Sequence, residues 1–127
     1  MIKKRVELFK SELIDNGVDG FLVTNPKNCF YLSGFTGTDG VLLITPQSNY
    51  LITDFRYIEQ AKEQATFFQI IKYENSLYET VHDLIKKEKL SNLGLEGENV
   101  SWAQYQLIQK ELQGINLLPE KKLIENL

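Results

Sequence analysis

Few side chains in this sequence could do covalent or metal chemistry, and they are scattered. His82 is the only histidine and Cys29 the only cysteine. General acid–base work needs a titratable group of shifted pKa in a cleft. His82 follows Val81, an inward position of an amphipathic segment, so its expected role is structural or solvated. A single cysteine excludes an intramolecular disulfide and cysteine-cluster metal sites, and a single histidine excludes a multi-histidine zinc site. A small buried apolar side chain is the expectation for Cys29. Glu96 and Glu98 flank Gly97, with Asn99 next. Two carboxylates after a strand could hold a divalent cation, but no third ligand stands at a usable spacing. They read as a solvated turn that places acidic charge near a helix opening at Ser101.

Gly34, Gly37 and Gly40 punctuate the segment Ser33–Gly40, whose only large apolar side chain is Phe35. Neither the dinucleotide-binding nor the P-loop pattern is matched, and no Lys-Ser or Lys-Thr follows. Backbone freedom at a turn accounts for the glycines. A Gly/Thr-rich loop carrying one aromatic and one acid, Asp39, could also be a contact device. Phe35 would then be either tucked into the core or offered to a partner. Asp54 and Arg56 share a parity at the end of a strand. They could form a local ion pair worth ~0–1 kcal/mol if exposed, or Arg56 could use its five donors to orient a carboxylate or a neighbouring loop. Nothing here completes a catalytic set, since a hydrolase triad needs a well-placed base. The polypeptide by itself is expected to be inactive.

The elements that must position these residues follow from periodicity. Ile2, Val6, Phe9 and Leu13 define an amphipathic helix over 2–15, stopped by Asn16-Gly17. Residues 20–24 form a short apolar strand. Asn25-Pro26 then supplies an N-cap and a first-turn proline for a helix to about Leu32. After the 33–40 loop, residues 41–44 and 50–53 pair as a hairpin around Pro46-Gln47-Ser48-Asn49. A helix is expected over 57–65, with Ile58, Ala61 and Ala65 on one side, and a strand over 68–71. Ser76 with Glu79 opens a helix to about Glu88 that turns Leu77, Val81, Leu84 and Ile85 inward. Residues 93–96 form a strand. Ser101 with Gln104 opens a helix to about Leu112 that buries Trp102 or Tyr105 together with Ile108 and Leu112. Residues 115–118 read as a last strand, and Lys121–Leu127 as the start of a further helix. Strands alternating with helices around one hairpin predict an α/β domain: a mixed sheet flanked by helices.

Composition agrees with one globular domain. The chain has 127 residues, 43% of them hydrophobic and 24% charged, with a net charge of -3. That balance lacks the signature of disorder and the basic patch of a nucleic-acid binder. Lys86, Lys87 and Lys89 alternate with Glu88 and read as a solvated helix face. Residues 1–16 carry charges throughout, and no apolar run reaches the ~20 residues of a membrane helix. The expected compartment is the cytoplasm, with neither nucleic acid nor membrane as partner.

Two segments carry a resemblance. Asn28-Cys29-Phe30-Tyr31-Leu32-Ser33-Gly34-Phe35-Thr36-Gly37-Thr38-Asp39-Gly40 resembles the N-x-x-Y-L-T-G-F-T-G-S-x-G stretch of the creatinase/prolidase/aminopeptidase P superfamily. Thr53-Asp54-Phe55-Arg56-Tyr57-Ile58-Glu59-Gln60-Ala61 is similar to its T-D-x-R-Y-x-x-Q-A segment. The opening helix and Gly17–Val23 also follow the family's start.

The resemblance implies a ribonuclease-H-like N-terminal domain over 1–127 and a "pita-bread" C-terminal metallopeptidase domain that is not in this chain. That second domain would hold two divalent metal ions, expected to be manganese, on two Asp, one His and two Glu. The whole protein would hydrolyse Xaa-Pro peptide bonds as a dipeptidase or aminopeptidase and form a homodimer. This half would contribute no catalytic residue and no metal ligand. Its partners would be its own catalytic domain, a second subunit and proline-containing peptides. Phe35, Thr38 and Asp39 would bind substrate in the neighbouring subunit, with Asp39 on the free amine. Gly34, Gly37, Asp54, Arg56 and Tyr57 would support the loop or an interface. The rival reading is a non-enzymatic peptide- or protein-binding module of the same fold. A third is a free-standing domain. Metal ligands encoded beyond Leu127 would separate these.

Overall fold

In a computed structural model, residues 1–120, 123–125 and 127 are described. The first helix, α1 (Ile2–Asp15), buries Val6, Phe9 and Leu13 and ends where Gly17 takes φ 69°. Strand β1 (Gly20–Val23) follows, and Phe21 on it meets Phe9 edge-on at 5.1 Å. Helix α2 (Pro26–Ser33) starts on Asn25, whose side chain accepts the N–H groups of Lys27 and Asn28, and stops at Gly34. Strands β2 (Val41–Ile44) and β3 (Asn49–Thr53) form the expected antiparallel hairpin. A 3-10 turn, Phe55–Tyr57, leads into α3 (Ile58–Gln64), then β4 (Gln69–Lys72). Helix α4 (Leu77–Glu88), β5 (Asn92–Glu96), α5 (Trp102–Glu111) and β6 (Asn116–Glu120) complete the order.

The six strands lie in the order β4-β3-β2-β1-β5-β6. β1 runs parallel to β5, β5 to β6 and β3 to β4, while β2 opposes both β1 and β3. All strands except β2 therefore point the same way. Side-chain alternation sends Phe21 and Val23 to one face of the sheet and Leu22 to the other. The first face is covered by α1, α2 and α3, the second by α4 and α5. Helices on both faces explain why β1, β2 and β5 read as near-continuous apolar runs. The α/β mixed sheet expected from the sequence is the fold observed.

Helix α5 decides between the two aromatics expected to be buried on it. Ile108 and Leu112 point inward and Tyr105 is half-buried, but Trp102 is 72% exposed. Trp102 stands six residues before Ile108, roughly 240° around the helix, which carries it off the packed face. It lies nearly parallel to Tyr105, with ring centroids 6.3 Å apart. Of the further helix expected over Lys121–Leu127, Lys121, Lys122 and Asn126 lie outside the described residues. Leu123–Glu125 form a turn, and Ile124 packs into the layer of α1 and α2. Among the described residues no helix is long and apolar enough to cross a membrane.

Strand direction fixes where a site can be. The carboxyl ends of β1, β3, β4, β5 and β6 share one edge of the sheet, and the loop entering β2 lies at that same edge. Open α/β sheets bind ligands beyond the carboxyl ends of their parallel strands.

Candidate functional site

The loop 34–40 crosses that edge. It begins at Gly34, where φ 84° closes α2 and a Cβ would stand 3.0 Å from Ile2 and 3.2 Å from the Gln64 carbonyl. Phe35 then turns inward and is 3% exposed, so the core placement is the one adopted. Its ring meets Tyr57 edge-on at 6.1 Å. The backbone passes directly over that ring at Gly37, where a Cβ would lie 2.2 Å from Phe35 Cζ. Beyond Phe35 the loop is tied down by polar contacts. The Thr36 N–H donates to Gln64 Oε1 at 2.9 Å, and the Thr36 hydroxyl accepts from Gln60 and Gln64 Nε2, each at 3.0 Å. The hydroxyls of Thr38 and Tyr57 meet at 2.6 Å. The Asp39 carbonyl accepts from the Thr53 hydroxyl. Its carboxylate Oδ2 accepts from the Tyr73 hydroxyl at 2.6 Å, and the Tyr73 N–H donates to the Thr53 carbonyl at 3.1 Å.

Charge gathers beside Asp39. Asp54 caps the 3-10 turn by accepting the Arg56 N–H at 2.8 Å, and its carboxylate takes the Arg56 guanidinium through Nη2 at 2.6 Å and Nε at 3.1 Å. The local ion pair expected from the sequence is thus present. It holds the Asp54 carboxyl down to about 2, chiefly through the hydrogen bond from Arg56. Asp54 in turn raises Arg56. The guanidinium also lies 5.2 Å from the Tyr57 ring centroid and makes no hydrogen bond to the loop among the described residues. Asp39 pushes the Tyr73 phenol up to about 12, chiefly through their hydrogen bond. One guanidinium and two carboxyl groups thus gather at this corner of the edge.

The other candidates fall elsewhere. Glu96 is not a solvated group: it is 4% exposed. Its Oε1 accepts from Thr24 N–H at 2.6 Å and Asn25 N–H at 3.1 Å, and its Oε2 from Asn28 Nδ2 at 2.6 Å. The carboxylate satisfies donors at the start of α2, which the sequence reading missed because they lie far away in the chain. Glu98 is exposed. Among the described residues no three His, Cys, Asp or Glu side chains converge as metal ligands, so these residues do not fit a dinuclear metal centre. Cys29 is buried, and burial pushes its thiol up to about 12, leaving it protonated and unreactive near neutrality. His82 is half-buried on α4, in the layer that does not hold Phe35. Lys86, Lys87 and Lys89 are exposed.

Four residues that hold the loop were given no role from the sequence: Thr53 and Gln60, which stand at matched positions of the T-D-x-R-Y-x-x-Q-A segment, and Gln64 and Tyr73. Gln60 and Gln64 are one helical turn apart and so share a face, which is a usable signal. Tyr73 lies 34 positions from Asp39 and carries none.

A mixed, helix-covered sheet with a tethered glycine-rich loop at its carboxyl edge defines the class, and comparison supplies the family. The chain belongs to the creatinase/prolidase N-terminal domain family, which matches residues 5–127. The uncharacterized peptidase YqhT of Bacillus subtilis (strain 168) is 35% identical over 111 residues, covering 87% of this chain and 31% of that protein. The Xaa-Pro dipeptidase from Bacillus anthracis superposes with a TM-score of 0.94 at 30% identity, covering 99% of this chain and 35% of that one. The N-terminal domain of the cytoplasmic peptidase PepQ from Mycobacterium tuberculosis H37Rv gives a TM-score of 0.87 at 25% identity, covering 97% of each chain. This chain therefore spans about a third of the length of the full-length relatives it matches. It is an N-terminal domain of the Xaa-Pro peptidase family.

Proposed function

We propose that this chain is the non-catalytic N-terminal domain of a cytoplasmic, metal-dependent Xaa-Pro dipeptidase or aminopeptidase, and that its loop 34–40 helps form the substrate pocket of a neighbouring subunit in a homodimer. The C-terminal half of that protein supplies the ligands for two divalent metal ions, expected to be manganese. The observation that carries this reading is the loop itself. It lies at the carboxyl edge of the sheet with Thr38 exposed and Asp39 half-buried, both held by hydroxyl partners. A fixed hydroxyl and a fixed carboxyl group suit the polar end of a peptide, including a free ammonium. Phe35 sets the height of the loop from beneath, with Gly34, Gly37 and Tyr57 shaping its path and Asp54 with Arg56 bracing its flank. Contacts made away from the reacting carbonyl raise the rate by orienting the substrate.

The experiment is Asp39→Asn in the full-length protein. It should lower kcat/KM by about 10-fold, the scale of one lost charged contact, with metal content at the wild-type level. Wild-type kinetics would remove the loop from the substrate site.

A further inference from the structure

We infer that Tyr73 is a positioning residue for Asp39, holding its carboxylate for a substrate ammonium and away from Arg56. This rests on the reading of Asp39 given above. Tyr73 follows β4 directly and is half-buried, so its ring has little freedom. Its backbone is fixed by the N–H bond to the Thr53 carbonyl, and the Thr53 hydroxyl holds the Asp39 carbonyl. Asp39 is therefore gripped at both its backbone and its carboxylate from the ends of β3 and β4.

The grip matters because a competitor is near. Arg56 lies close enough for Asp39 to act on it electrostatically, yet its guanidinium bridges to Asp54. Without the Tyr73 hydroxyl, the Asp39 side chain would be free to rotate beside a guanidinium that is 60% exposed. An Asp39 paired with that guanidinium no longer offers its charge to an amine. The Tyr73 hydroxyl donates a hydrogen bond to Asp39 Oδ2 at 2.6 Å and so fixes the direction in which the carboxyl group faces.

The test compares Tyr73→Phe and Asp39→Asn in the full-length enzyme with two ligands. One is phenylalanyl-proline, and the other is 3-phenylpropanoyl-proline, which lacks the amine and serves as a competitor. Tyr73→Phe should raise KM for phenylalanyl-proline about 3- to 10-fold, the size of one ordinary lost hydrogen bond. The accompanying change in kcat should be under about twofold, and the inhibition constant of the amine-free ligand should stay at its wild-type value. A purely structural role would weaken both ligands alike, and that result overturns the inference. So does an unchanged KM in Tyr73→Phe when Asp39→Asn raises it. If Asp39→Asn also leaves KM untouched, the reading of Asp39 fails and the role of Tyr73 fails with it.

Discussion

Glu96 and Asn28, 68 positions apart, meet side chain to side chain at 2.6 Å where β5 ends beside the start of α2. The same carboxylate accepts the N–H groups of Thr24 and Asn25 and the Thr24 hydroxyl. It thus replaces water for a helix start that packs against the sheet and precedes the 34–40 loop. Glu96→Ala would take this acceptor from the partly buried Thr24 and Asn25 N–H groups and from Asn28 Nδ2, which keeps Glu125 Oε2 at 3.3 Å. Each unsatisfied donor costs ~1–3 kcal/mol, and partial rehydration brings the expected loss to about 2–4 kcal/mol. Glu96→Gln keeps one acceptor oxygen and should lose roughly half of that. Denaturant melts of the wild type and both variants measure this. A loss below ~0.5 kcal/mol for Glu96→Ala, typical of a surface site, would show that the cluster does not secure α2.

What the sequence made legible was local. Asn25-Pro26, Ser76 with Glu79 and Ser101 with Gln104 announced helix starts because each capping bond closes within three residues. Asp54 and Arg56 announced their pairing for the same reason. The period of apolar residues placed the helices and strands, and their alternation gave the mixed sheet. What stayed hidden depends on how strands are ordered. β1 lies between β2 and β5, and that order brings Glu96 to Thr24 and Asn28. Similarly, β4 beside β3 brings Tyr73 to Asp39. Neither contact leaves a periodic trace, so Glu96 read as solvated and Tyr73 went unmentioned. The choice between Trp102 and Tyr105 stayed open for a different reason: a large aromatic at a helix start satisfies an apolar pattern whichever way it points.

Gly37 is set by space. A methyl group there would stand 2.2 Å from Phe35 Cζ and 2.8 Å from both Cε atoms. The ring is 3% exposed and rests against Tyr57, so it has no vacant place to retreat to. Gly37→Ala should therefore cost about 1–3 kcal/mol, as overpacking in a core does, and should displace the loop from Tyr57. Chemical denaturation gives the cost, and near-ultraviolet dichroism reports the change around Phe35 and Tyr57. A variant with wild-type stability and an unaltered aromatic spectrum would mean the backbone is not pinned to that ring.

Cys29 sets an alkaline limit on stability. Desolvation by burial, with a smaller contribution from Glu96, raises its thiol from 9.0 to about 12 in the folded chain. Below pH 9.0 the thiol is protonated in both states and its burial is undisturbed. Between 9.0 and about 12 the unfolded chain releases that proton and the folded chain retains it. Stability therefore falls as pH rises through this window, by up to about 1.4 kcal/mol per pH unit for one proton. Tyr73 adds to the same limb, since its phenol is also raised, from 10.0 to about 12. Unfolding free energies measured from pH 8 to 11 should thus decline, and Cys29→Ala should flatten the decline by at most one proton's slope. The thiol of the native domain should resist Ellman's reagent at pH 8 and react once the chain is unfolded. Rapid labelling of the native protein, or identical pH slopes for wild type and Cys29→Ala, would show that α2 does not shield the thiol as its burial implies.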